Sequence, residues 1–443
     1  VTLTYRGSAR DDAGDLAGAL ADLDAAIAKD PDQLRAYRLK AEMFDKQGRL
    51  DGAIAADEAG LKRKPDDIDL LVDIGAYYRR AEKFDLARAR LDSAVKLDPN
   101  NADAYYQRGR VADLMGRHAE ALADLEKAQA LAPKSADVLV GKGLALGALG
   151  RPRDELAAYV AALALDPGNA DALINRAVSF YNLKDYASAA PAYEAAIRRS
   201  PGHADWLADL GDVRLKLGDK AGARASYDAA LRLDGGQKRA LAGRADLMMD
   251  LGKPADALAG YQAALKADPA NADNAVGRAN ALVKIGDKAG AAAAFDAAIK
   301  LDAKSIYARN ARGLYRLNAA QYETAIADFD AASQIDAKYD AAYFNRGLAF
   351  KALTQFDRAI REFNAYLRLV PGDAEALSEK GDCYRRLGDD LLAVRDLDCA
   401  IAANPSLALA WLRRSLAREA MGDTAGGRAD KARALKLDRH IAD

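Results

Sequence analysis

Three histidines, two cysteines and one string of glycines are the residues of this 443-residue chain whose types could do chemistry. Histidine and cysteine can ligate zinc, histidine can move protons near neutral pH, and paired cysteines can cycle between thiol and disulfide. The spacing supports none of these. His118, His203 and His440 stand far apart, and no His-x-x-x-His or Cys-x-x-Cys pair occurs. Cys383 and Cys399 read as small buried hydrophobes rather than a redox pair. Gly141, Gly143, Gly147 and Gly150 imitate a nucleotide-binding loop, but they lack the Gly-x-Gly-x-x-Gly spacing and no strand precedes them. No phosphate-binding loop, nucleophile elbow or His-Glu-x-x-His motif is present. The expectation is a non-enzyme with no catalytic residue, no metal and no cofactor.

The charge balance points the same way. Lys plus Arg is 65 and Asp plus Glu is 66, for a formal net charge of −1. A nucleic-acid or anionic-membrane binder relies on a positive field, so neither partner is expected. The longest apolar run, residues 156–165, is well short of the roughly 20 residues of a membrane span. Two cysteines exclude a disulfide framework and are compatible with either cytoplasm or periplasm. The Ala-, Asp- and Arg-rich composition has a bacterial look. The chain starts at Val1 without Met and shows no signal peptide.

The elements that hold these residues are set by the prolines. Nine of the 12 lie at 31, 65, 99, 133, 167, 201, 269, 371 and 405, always 34 residues or a multiple apart. A fixed period over a whole chain indicates a repeat array. With proline at position 32, a first repeat occupies 1–33, and 34-residue repeats start at Leu34, Ile68, Ala102, Ala136, Ala170, Ala204, Lys238, Ala272, Ile306, Asp340, Ala374 and Ala408. Position 8 is small in all 13 repeats, and positions 20 and 27 are Ala in 11 each. Position 24 is mostly Leu or aromatic, and position 15 is Gly in nine repeats. The apolar spacing is helical on both sides of position 15. Gly there suits the left-handed end of one helix, and the Asp that often follows caps the next. Each repeat therefore reads as two antiparallel helices, with small residues at positions 8 and 20 letting them approach. Gly143 and Gly150 are thereby the packing and turn residues of one repeat. Pro191, at position 22, is expected to bend the second helix or shift its start.

This pattern resembles the tetratricopeptide repeat. Ala177, Ala189, Tyr193, Ala196 and Pro201 fill the five marker slots of repeat 170–203, and Tyr343-Phe344-Asn345-Arg346-Gly347 matches the Tyr-x-Asn-Arg-Gly subclass. The resemblance implies an all-α fold, a right-handed superhelical solenoid of antiparallel helix hairpins, continuous over 1–443. It also implies a concave groove lined by the first helices that binds peptides or proteins, without catalysis.

In that family, first-helix positions 2, 5, 6, 9, 12 and 13 face the groove. Carried over residue by residue, they give an apolar zone with asparagines (Val140, Leu144, Ile174, Asn175, Val178, Tyr181, Asn182). An acidic zone follows, with Asp205, Asp209, Asp212, Asp246, Asp250 and Asp273 against Lys216, Arg239 and Lys284. A second well holds Tyr307, Asn310, Leu314, Leu317, Asn318, Phe344, Asn345, Leu348 and Lys351. Beyond it, Arg385, Arg386 and Arg413 add positive charge beside Glu375, Glu379 and Asp382. The expected partner-binding residues are Asn175, Tyr181, Asn182, Asp209, Asp212, Asp246, Asp250, Tyr307, Asn310, Asn318, Phe344 and Asn345, and basic residues are expected in the ligand. The clamp by which some family members hold acidic chaperone tails needs bases where this chain has Asp205 with Asp209 and Glu375 with Glu379, so that ligand is disfavoured.

Position 7 is Arg or Lys in 11 repeats, and the six repeats with an acid at position 23 all have a base at position 7. Six ion pairs between the two helices of a repeat are predicted: Arg6–Asp22, Arg108–Asp124, Arg312–Asp328, Arg346–Glu362, Lys380–Asp396 and Arg414–Asp430. Lys431 and Arg428 give the last repeat a polar outer face, whereas Leu3 and Tyr5 have no preceding repeat to cover them. Three functions are compatible with this: a binding scaffold, the recruiting arm of a larger multidomain enzyme, or a scaffold that self-associates through the open N-terminal end.

Overall fold

The computed structural model describes residues 2–441, and those residues form 26 α-helices that pair as consecutive antiparallel hairpins. Leu34 and each of the eleven later residues that open a repeat also open a helix, and every second helix has 14 residues. The chain divides into two compact units, Val1–Leu233 and Asp234–Asp443.

Within each unit the hairpins close because large side chains sit in the space left by glycine. A Cβ on Gly143 or Gly211, both at position 8, would come within 2.4 Å of the ring of Tyr159 or Tyr227 at position 24. Gly313 stands in the same relation to Phe329, at 2.5 Å. Those rings are completely buried, and a methyl group at the glycine would force them out of place.

The turn between the helices needs a left-handed residue at position 15. All nine glycines there have positive φ, between 69° and 94°. So do the four non-glycine residues at that position, Glu82, Lys184, Ala320 and Thr354, at 57–60°. The hairpin imposes the conformation even on a β-branched threonine, at a cost of about 1 kcal/mol or more. Of the five Gly-Asp turns, four cap as expected: Asp15, Asp219, Asp287 and Asp423 accept from the backbone N–H three residues on, while Asp389 does not.

Pro191 does not shift the start of its helix. Helix Tyr186–Arg199 begins in register with the other second helices and runs through the proline. Packing of Ala189, Tyr193 and Ala196 in the core outweighs the lost backbone bond. Leu3 packs on the cluster around Ala19 and Leu23, and Tyr5 lies exposed beneath the Arg35 guanidinium.

All six predicted ion pairs form, with N···O separations within 3.1 Å. Four of those bases also reach an acid at position 25 of the preceding repeat, Arg108 to Asp92, Arg312 to Asp296, Arg346 to Asp330 and Arg414 to Asp398, and Lys40 at position 7 of its repeat likewise reaches Asp24. Position 7 therefore ties the second helix of its own repeat to that of its neighbour. Asp22, Asp328 and Asp430 take a further arginine from position 11. These three carboxylates are almost fully buried, so removing their partners would leave costly charges.

Candidate functional site

The first helices of successive repeats pack side by side in each unit, which brings their positions 2, 5, 6, 9 and 12 onto one face. In the N-terminal unit Asn175 is half-buried and Asn182 exposed. The ring of Tyr181 meets that of Tyr186 edge-on at 5.7 Å, so Tyr181 is fixed by the second helix of its repeat. Val140, expected in the groove, is buried in the core beside Leu139 and Tyr159. Asp209 and Asp212 are half-buried, and Asp212 accepts a hydrogen bond from the Tyr227 hydroxyl at 2.5 Å.

The second well, in the C-terminal unit, is partly closed on itself. Asn345 donates from Nδ2 to Asn310 Oδ1 at 3.0 Å, joining neighbouring first helices. Phe344 packs against Phe363 and Tyr366 at 5.8 and 5.2 Å between ring centres, so much of its surface serves the core. Asn318 is exposed at the end of helix Ile306–Asn318.

In the positive zone expected beyond it, Arg386 is exposed, and the other two bases are paired. Lys351 reaches Glu379 and Asp382 at 2.6 and 2.7 Å, Arg385 reaches Asp382 at 2.6 Å, and Arg413 reaches Glu379 at 2.8 Å. Arg413 also donates to Ser378 Oγ. Burial alone would raise the Asp382 pKa. The hydrogen bond and charge of Lys351, with Arg413 and Arg385, override that and hold it at about 2. Nearby, Cys383 is buried and its thiol is pushed up to about 12 by burial, whereas Cys399 is exposed. The two are unpaired, and only Cys383 is the buried hydrophobe expected.

A different environment surrounds Asp246. A cavity of about 460 Å³ opens on the first-helix face of repeats 238, 272 and 306, lined by Asp246, Asp273, Tyr307 and the Tyr261 ring among others. Its floor exists because position 6 of repeat 272 is Gly277: a Cβ there would lie 2.4 Å from the Tyr261 ring. Position 8 of repeat 238 is Ala245 instead of glycine, and the Tyr261 hydroxyl donates to Asp246 as Tyr227 does to Asp212. Burial by the walls and the neighbouring charges of Asp250 and Asp273 push the Asp246 carboxyl up, against the Tyr261 hydrogen bond. Sequence reasoning missed Tyr261, which comes from a second helix, and passed over Asn280 at groove position 9. The readable signal was glycine at a groove-facing position.

The histidines serve the surface. His118 Nδ1 lies 2.8 Å from Asp113, and His203 stacks on Trp206 at 3.8 Å. No helix among the described residues is long and apolar enough to cross a membrane.

The paired helices of period 34, the glycine-on-ring contacts and the left-handed turns define a helical-repeat protein. The tetratricopeptide repeat family profile matches residues 6–68, 72–136, 140–204, 179–238, 208–272, 242–308, 276–340 and 344–406, and the chain belongs to that family. No curated protein sequence matches it. Among solved structures, it is similar to the APC/C hetero-tetramer Cut9–Hcn1, at 16% identity over 88% of this chain and 96% of that one, with a TM-score of 0.46. It is also similar to yeast Tom70, at 15% over 92% of each chain (TM-score 0.42). YrrB, described as a tetratricopeptide protein with an unusual peptide-binding site, is 22% identical over 42% of this chain and 97% of its own (TM-score 0.37). Proteins of this family are generally non-catalytic scaffolds for protein interactions.

Proposed function

We propose that this chain is a non-enzymatic scaffold that holds an extended protein segment along the face built by its first helices. The supporting observation is the open cavity at Asp246 and Tyr307, where charge and aromatic surface are left accessible on the first-helix face. Tyr307 is 52% exposed, which folding alone does not require. In this reading Tyr307, Asp246, Asp250, Asn310 and Asn318 contact the segment in the C-terminal unit. Asn175, Tyr181, Asn182, Asp209 and Asp212 do so in the N-terminal unit. Asparagine suits the task because it both donates to and accepts from a peptide backbone. Phe344 and Asn345 shape the surface from beneath.

The test is affinity capture on the intact chain, mapping of the bound segment by overlapping peptides, and titration of that peptide against Asn182→Ala and Tyr307→Ala. Each exposed side chain is expected to cost about threefold to tenfold in affinity. Unchanged affinity in both variants removes the groove reading.

A further inference from the structure

The Asp246 cavity differs from an ordinary cluster of surface acids. Asp246 has Tyr261 as its hydrogen-bond donor, and neither Asp246 nor Asp273 has a cationic partner among the described residues. The side chain of Asn274 lines the same cavity. That residue is only 6% exposed, and its side-chain amide makes no hydrogen bond among the described residues. Its amide faces the cavity, where it is free to bond a ligand that enters. The Tyr307 ring forms one wall and is half exposed, with no cation over it among the described residues.

We propose that this cavity is a pocket for one arginine side chain of the bound protein segment, a reading that rests on the scaffold function above. A guanidinium is planar and carries five N–H donors. It can donate to Asp246 and Asp273 together, give a further bond to the Asn274 carbonyl oxygen and lie against the Tyr307 ring. An ammonium is a strongly hydrated point charge with three donors and meets fewer of these demands. The cavity volume of about 460 Å³ accommodates the side chain with its hydration partly retained. The acids that repel one another in the free protein supply the attraction.

Met249 also lines the cavity, and the chain has five methionines, so a methyl-labelled NMR spectrum carries a local reporter. The probes are Nα-acetyl-arginine methylamide, its uncharged citrulline isostere, the lysine analogue and spermidine, each titrated into the full chain. The arginine probe is expected to shift the Met249 signal saturably, the citrulline probe to leave it unmoved, and the lysine analogue and spermidine to bind at least threefold more weakly. Asp273→Asn, at an exposed site, is expected to weaken the arginine probe about tenfold, and Asp246→Asn likewise. No Met249 shift, an equal response to citrulline, or lysine or spermidine binding as tightly as arginine overturns the assignment. Failure here with intact Tyr307 dependence of the captured segment removes the pocket and leaves the groove. A positive arginine titration with a captured segment that does not depend on Asn182 or Tyr307 removes the groove reading and, because Tyr307 walls the pocket, the assignment of that segment's arginine to it.

Discussion

Asp246 and Asp382 occupy the same place, position 9 of a first helix in the C-terminal unit, and their carboxyls are driven in opposite directions. Asp382 is 5% exposed and encircled by Lys351, Arg385 and Arg413, which hold its pKa at about 2. Asp246 opens on a cavity, has only a tyrosine hydroxyl for a partner among the described residues and faces other carboxylates, so its pKa rises. The repeat supplies identical backbone at both. What differs is whether the neighbouring first helices bring cations. Where they do, the carboxylate is structural; where they do not, a charge is left for something else to satisfy.

The comparison breaks most visibly at Asp382. Asp382→Ala leaves Arg385, 20% exposed, without its carboxylate and Lys351 and Arg413 with Glu379 alone, and a loss of about 3 kcal/mol in urea unfolding is expected. The pH dependence has a definite sign. The folded pKa lies below the ordinary carboxylate value, so the contribution is complete above that value. It is lost as pH falls toward 2. Unfolding midpoints of the parent and Asp382→Asn should therefore converge between about pH 4 and pH 2. A difference that stays constant over that range would show that packing, not charge, sets the effect.

Asp57 marks the extreme of missing compensation. It occupies position 24, where eleven of the other twelve repeats place Leu or an aromatic, and it is wholly enclosed. Neither carboxyl oxygen has a hydrogen-bond partner among the described residues. Burial, then the charge of Asp73, pushes its pKa up to about 8, with Arg38 opposing. Here the folded state holds the proton more tightly than the unfolded chain, so stability from this group is greatest at low pH. It declines as pH rises toward 8. Asp57→Leu should stabilise by about 2–4 kcal/mol at pH 8, with a smaller gain at pH 4. Calorimetry at the two pH values decides it, and a gain that does not depend on pH contradicts a protonated Asp57.

The sequence announces what is local and repeated. Proline spacing gives the helix starts, Gly-Asp gives most caps, and the position 7 and 23 residues lie across one hairpin, so their pairing follows from its geometry. Contacts between repeats are harder to read. The position 7 to position 25 ties depend on how hairpins stack, and the Asn310–Asn345 bond uses two residues that look available for a ligand. Arg413 and Arg385 look like free positive charge until Glu379 and Asp382 are placed beside them. The cavity at Tyr261 needs two coincident exceptions, Ala245 where glycine is usual and Gly277 on the groove face. Single-residue pattern matching registers neither as a site.

The smallest stability effect is expected at Asp273, and it is the sharpest check on the contrast. This carboxylate is exposed and unpaired among the described residues, so Asp273→Asn removes no bond. Its charge raises the Asp246 pKa. Neutralising it should leave the unfolding free energy within about 0.5 kcal/mol of the parent. The Asp246 pKa, followed by carboxyl NMR, should fall because one repelling charge is gone. A loss above about 1 kcal/mol would make Asp273 a structural residue like Asp382, and the difference between the two regions would then lie in exposure alone. An unchanged Asp246 titration would mean that burial by the cavity walls, with no help from neighbouring acids, holds that carboxyl up.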